Sequence, residues 1–224
     1  MPRIRAGSID INYDTWGDGE PLLLIMGFGM PGIAWLPSLP MFTGFKCIYF
    51  DNRGTGYSDK PEGVYTIDAM ADDASNLLKA LNIPRAKVFG ISMGGMIAQE
   101  LTLRHPEQVE RVVLGCTMPG GPQAKMASPE VGMKLVEGTK LMASNPENGF
   151  DIILPLLFPD DFAAQHPEIK QMMLAGMKLM PQTPTESVDR TIAGIMTFNA
   201  AERLGQIKCP VLIVPCPEQS QLED

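Results

Sequence analysis

Gly90-Ile91-Ser92-Met93-Gly94 sets a serine two residues from a glycine on either side. A serine hydroxyl becomes a useful nucleophile when a neighbouring base takes its proton. The glycines let the chain turn sharply without Cβ clashes and let a following helix sit close. A serine lifted off a strand end at the start of a helix also faces that helix's N–H groups and positive dipole end, which favour a developing oxyanion. Acyl transfer is the chemistry that uses such a constellation. Its usual base is histidine, and the chain has two, His105 and His166.

The neighbouring elements support this placement of Ser92. Lys87–Phe89 reads as a short strand and Met93–Leu103 as a helix, with Pro106 beyond its end. His105 is about thirteen residues past Ser92 along that helix. At 1.5 Å per residue it lies roughly 20 Å away, out of reach. His166, just before Pro167, reads as a surface or helix-start histidine, unless its segment folds over the serine.

Residues 9–15 alternate in polarity like a half-buried strand, and Leu22–Met26 and Phe45–Phe50 are short apolar strands. The apolar positions from Thr66 to Leu81 fall at helical spacing, with Thr66 as N-cap. Arg111–Cys116 and Pro210–Val214 are further strands. Strands alternating with helices predict an α/β fold with a mainly parallel sheet and helices on both faces. Residues 119–204 are Met- and Pro-rich and helical in pattern. They predict a cap inserted into a discontinuous core of 1–118 and 205–224. Eight of the 16 methionines lie in that cap, which suits an adaptable apolar roof over Ser92.

Composition narrows the function classes. A net charge of -8 without a basic run argues against nucleic-acid binding. The four cysteines show no zinc-like spacing, and three lie in or beside apolar strands, as buried thiols of a reducing compartment do. No metal and no cofactor is expected. The N-terminal MPRIRAGSID lacks a signal-peptide core, and Pro and Gly interrupt the uncharged run from Pro21 to Phe45 too often for a membrane span. A cytoplasmic protein without a membrane partner is the expectation.

Taken together, these segments resemble the serine α/β-hydrolase superfamily. LLLIMGFG (22–29) resembles the turn after the third strand, and FDNRGTGYSD (50–59) the Asp-x-Arg-Gly-x-Gly-x-Ser loop. Residues 89–114 resemble the nucleophile elbow with its helix, and IKCPVLIV (207–214) the strand that carries the triad acid. Met26 in place of the usual His before Gly27 is similar to a branch of aclacinomycin methylesterases and 3-oxoadipate enol-lactonases.

The resemblance implies an α/β-hydrolase fold in which Ser92 is the nucleophile. It implies that the backbone N–H groups of Met93 and Phe28 form the oxyanion hole, though Gly27-Phe28-Gly29 also reads as a simple turn. Asp51 and Arg53 brace their loop, and Ser58 is a loop residue. The implied triad order is Ser, acid, His. Glu218 falls near the acid position, where Gln219 is the other alignment, and no histidine follows it.

The expectation is therefore a C-terminally incomplete member, its ending PCPEQSQLED foreign to the architecture and its last strand and helix missing. Such a chain would leave Pro210–Val214 as a bare, self-associating sheet edge. The implied activity is hydrolysis of small to medium apolar carboxylic esters or lactones through an acyl-enzyme, impaired for want of the triad histidine. The rivals are a non-catalytic protein of this fold that binds a small apolar ligand, and a cofactor-free haloperoxidase or C–C hydrolase.

Overall fold

The computed structural model describes residues 2–122, 124–125, 127–158, 161–179 and 181–216. Seven strands form one sheet in the order β1-β2-β4-β3-β5-β6-β7. They are β1 (Arg3–Ala6), β2 (Ile9–Trp16), β3 (Glu20–Ile25), β4 (Phe45–Phe50), β5 (Ala86–Ile91), β6 (Val109–Gly115) and β7 (Val211–Val214). The pairs β1/β2 and β2/β4 are antiparallel, and every pair from β4 to β7 is parallel.

The central strands are buried on both faces, so their sequences are continuous apolar runs and not alternating ones. In β3, Leu23 and Ile25 face one core, with α1 (Ile67–Ala80) and α2 (Met93–Arg104) packed on it. Leu22 and Leu24 face a second core, where Trp35 and Leu39 of the 3-10 segment Gly32–Phe42 meet Cys47 and Tyr49. Helix α1 begins where expected, because the Thr66 hydroxyl accepts the Ala69 N–H at 3.2 Å. It buries Ile67, Met70, Ala71, Ala74, Leu77 and Leu78, the stripe its spacing predicts. Each large side chain buried there contributes about 1.5–3 kcal/mol.

Between β6 and β7 the chain builds α3 (Pro129–Met142), α4 (Pro146–Leu157), α5 (Phe162–Gln165), α6 (Pro167–Leu179) and α7 (Thr185–Ile195). These helices have a cluster of their own around Met142, Phe150, Ile153, Leu154, Leu174 and Met177.

The expected loss of the last strand and helix is overturned. The 3-10 helix Ala201–Gln206 leads into β7, which pairs in parallel with β6 from Val112↔Val211 to Gly115↔Val214. That pairing forms because the apolar VLIV run matches the register of β6. β7 is the edge of the sheet, and Val211, Leu212, Ile213 and Val214 are all exposed.

The order of the central strands positions the site. From β3 the chain steps to β4 on one side, then returns to β5 on the other. Ligands of open α/β sheets bind at the carboxyl ends of strands flanking such a reversal. Here those ends are Met26–Gly29 after β3 and Ser92 after β5.

Candidate active site

Ser92 sits between β5 and α2 with φ 55° and ψ -123°. For a side-chain-bearing residue this left-handed conformation costs on the order of 1–3 kcal/mol and persists only when the surroundings over-determine it. The surroundings do so from three directions. The Ser92 N–H donates to the Gly115 carbonyl at 2.8 Å, at the end of β6. The Ser92 carbonyl accepts from the Gly95 N–H at 2.9 Å and from the Thr117 hydroxyl at 2.8 Å. A Cβ on Gly94 would run into the Ile25 carbonyl, so only glycine lets α2 come this close to β3. The Ser92 side chain makes no capping bond to the helix, and the residue is exposed.

The loop after β3 lies directly against the serine. A Cβ on Gly27 would be 3.2 Å from the Ser92 Cβ and 3.7 Å from its Oγ. Three side chains hold this loop. Asn52 Nδ2 donates to the Met26 carbonyl at 3.1 Å, Thr183 Oγ1 donates to the Gly29 carbonyl at 3.0 Å, and Asp51 Oδ1 accepts the Gly32 N–H at 2.7 Å.

Asp51 is buried, and its other oxygen accepts from Asn12 Nδ2 and the Tyr57 N–H, each at 2.8 Å. Ser58 Oγ donates to the Asp51 carbonyl at 2.6 Å and accepts the Asn12 N–H at 2.9 Å. Arg53 grips both oxygens of Asp73 at 2.6 and 2.8 Å and also reaches the Ala69 carbonyl. Burial pushes the Asp73 carboxyl above its usual range, against the pull of Arg53. Asp51, Arg53 and Ser58 are thus braces, and their reach extends beyond their own loop to the one beside Ser92.

His105 does not adjoin Ser92. His105 caps the far end of α2, a twelve-residue helix about 18 Å long, and its Nε2 is 2.7 Å from Asp72 Oδ1. His166 lies between α5 and α6, with Nδ1 3.6 Å from Glu168 Oε1. Glu218 and Gln219, the two alignments of the acid, lie outside the described residues.

The cap touches the loop after β3, where Thr139 of α3 packs on Gly29 and Met30 joins the cap's apolar cluster. An apolar cavity of about 360 Å³ opens beside the first turn of α2, lined by Met96, Met118, Ile195, Met196 and Phe198. Among the described residues, no three or more His, Cys, Asp or Glu side chains gather as metal ligands, and no helix is long and apolar enough to cross a membrane.

Sequence reasoning missed Thr117, Gly115 and Asn52. Thr117 lies just past the end of β6. Its hydroxyl in fact supports the elbow, and a lone threonine after a strand carries no pattern that announces this.

Residues 20–155 match the alpha/beta hydrolase fold family. The "Putative non-heme bromoperoxidase BpoC" of Mycobacterium tuberculosis is 43% identical over 112 residues, which is 49% of this chain. The match spans less than half, 42%, of that relative's length. The "Putative carbamate hydrolase RutD" of Azorhizobium caulinodans is 29% identical over 98% of this chain and 81% of its own length. The crystal structure of an enol-lactonase from Burkholderia xenovorans superposes with a TM-score of 0.79 at 26% identity, covering 96% of this chain and 80% of that one. The carbamate hydrolase and enol-lactonase alignments, which cover 98% and 96% of this chain, correct the expectation of a C-terminally incomplete member whose family pattern breaks off at Val214. With the strained elbow, the reversing strand order and the matched residues in agreement, the chain belongs to the alpha/beta hydrolase fold family.

Proposed function

We propose that the protein is a serine hydrolase of small to medium apolar carboxylic esters or lactones, working through an acyl-enzyme on Ser92. The observation that carries this reading is the conformation of Ser92: a non-glycine residue at φ 55° on a strand-to-helix turn, its neighbours holding it there. Such strain at a strand end raises a nucleophile's Oγ out of the backbone. In this reading the N–H groups of Met93 and Phe28 stabilise the oxyanion, and Glu218 is the acid. The closeness of Gly27 to the Ser92 Oγ supports the Phe28 assignment. The enol-lactonase likeness supports the substrate class.

This reading includes a reaction weakened for want of a base, since His105 stands a helix length from Ser92. In a related triad, losing the base costs about a million-fold in kcat, with the oxyanion hole and binding retaining part of the rate. The reading keeps a core of residues 1–118 and 205–224 and a cap of 119–204, supported by the cap's separate apolar cluster. It also keeps a cytoplasmic setting and self-association through the exposed edge of β7.

Hydrolysis of p-nitrophenyl acetate and butyrate tests it. The expected result is slow turnover that rises when free imidazole is added and disappears in Ser92→Ala. Equal rates with and without Ser92 would overturn it. The separation of His105 from Ser92 favours one second reading, a protein of this fold that binds a small apolar ligand without turning it over. That reading expects ester binding with no Ser92-dependent release of nitrophenol under any imidazole concentration.

A further inference from the structure

The last pair of the β6/β7 ladder is Gly115↔Val214, and the Cys116 N–H donates to the Val214 carbonyl at 2.8 Å. Just past that pair, two cysteines leave the sheet on neighbouring strands: Cys116, in the left-handed region at φ 46°, and Cys216, which is exposed. Cys116 follows Gly115 directly and Cys216 lies two residues past Val214, at the ends of parallel strands that run about 4.8 Å apart, where a disulfide spans a Cα separation of about 4.4–6.8 Å. The two sulfurs interact: burial, with the Cys216 thiol beside it, pushes the Cys116 thiol up to about 12. The esterase reading uses neither thiol.

We propose that Cys116 and Cys216 form a reversible disulfide by exchange with low-molecular-weight disulfides, tying the exit of β7 to the exit of β6 beside the elbow.

The exposed Cys216 reacts first. Its sulfur, having lost its proton to solvent, attacks one sulfur of the small disulfide and expels the other as a thiolate. Cys116 then gives its proton to that departing thiolate. It attacks the Cys216 sulfur and expels the second small thiolate, which takes a proton from solvent. Two protein thiols and one small disulfide thus become one protein disulfide and two small thiols. The two electrons pass from the cysteines to the small disulfide. A bond at exposed strand ends is of the labile kind that a changing thiol pool makes and breaks.

The tie acts one residue from both contacts that seat the elbow. Gly115 accepts the Ser92 N–H, and Thr117 donates to the Ser92 carbonyl. It also anchors β7, whose apolar side chains are exposed and which pairs, among the described residues, with β6 alone.

The test uses the reduced full chain incubated with oxidised glutathione, with thiols counted by maleimide after denaturation and peptides mapped without reductant. The expected result is the loss of two of the four thiols, a peptide cross-link joining Cys116 to Cys216 within one chain, and a higher Tm that dithiothreitol reverses. Cys116→Ser should stop at a glutathione adduct on Cys216, and Cys216→Ser should leave Cys116 a free thiol. A wild-type chain that stops at the adduct, or a cross-link through Cys47, Cys209 or a second chain, would overturn the proposal. The wild-type result decides it even if a variant fails to fold, and esterase activity does not enter the readout.

Discussion

Two loops leave neighbouring regions of the sheet's carboxyl edge and solve opposite problems. The loop after β4 turns inward. Asp51 spends both oxygens on N–H donors from three different segments, and Ser58 and Arg53 tie its remaining turns to β2 and α1. The elbow after β5 turns outward. Its backbone is held as firmly, yet its side chain is left exposed in a conformation that costs free energy. Polar groups that are buried and fully bonded define geometry, whereas a group meant to react must be held by its backbone and kept out of such bonds. The motif-like residues of the first loop are therefore scaffold, and the single serine of the second carries the proposed chemistry.

Substitutions can break or sharpen this contrast. The largest effect belongs to Asp51→Ala. It orphans the Gly32 and Tyr57 N–H groups and the Asn12 amide at about 1–3 kcal/mol each. A loss of about 3–5 kcal/mol, or on the order of 10 °C in Tm for a chain of this size, should appear by calorimetry. A change under 1 kcal/mol would show that the loop is not a brace. Thr117→Val removes the bond to the Ser92 carbonyl while keeping the shape. It should cost about 1 kcal/mol in denaturant titration, and Ser92-dependent ester hydrolysis should fall with it.

Ser92→Gly should move stability the other way, because glycine adopts the left-handed region without strain. A gain of up to about 1 kcal/mol is expected, accompanied by complete loss of Ser92-dependent turnover. If stability falls instead, the elbow is not strained.

The smallest effect is the pH response of Asp59, which closes the first loop. The Asp10 N–H at 2.8 Å, with Arg3 nearby, holds its carboxyl below the usual range. A depressed carboxylate contributes stability above its ordinary value near pH 4 and loses it as pH falls through the depressed one. The Tm gap between the native chain and Asp59→Asn should therefore be constant above pH 5 and shrink below pH 4.

The legibility of the molecule followed how local each determinant is. Helix α1 was readable to its cap because Thr66 and the apolar stripe interact within a few residues of one another. The elbow was readable because strand, glycines and helix start are contiguous. The bracing by Asp51 was expected, but its reach to Gly32 was not, since that bond spans nineteen residues and depends on β3 and β4 lying side by side. The final strand shows the reverse error. An unfamiliar tail suggested a missing ending, yet the VLIV run before it contains all that pairing with β6 requires.

By itself, then, the sequence determined the elements, the mostly parallel α/β class and the identity of Ser92, because propensity, periodicity and turn chemistry are properties of neighbours along the chain. Only the tertiary structure decided what seats that serine. Gly115, Thr117 and Asn52 reach the elbow and the loop beside it through strand register. It likewise decided that His105 stands at the far end of α2 and that Cys116 and Cys216 leave the sheet on neighbouring strands. Such encounters come from the packing of segments far apart in sequence, and short polar side chains in loops leave no periodic trace of them.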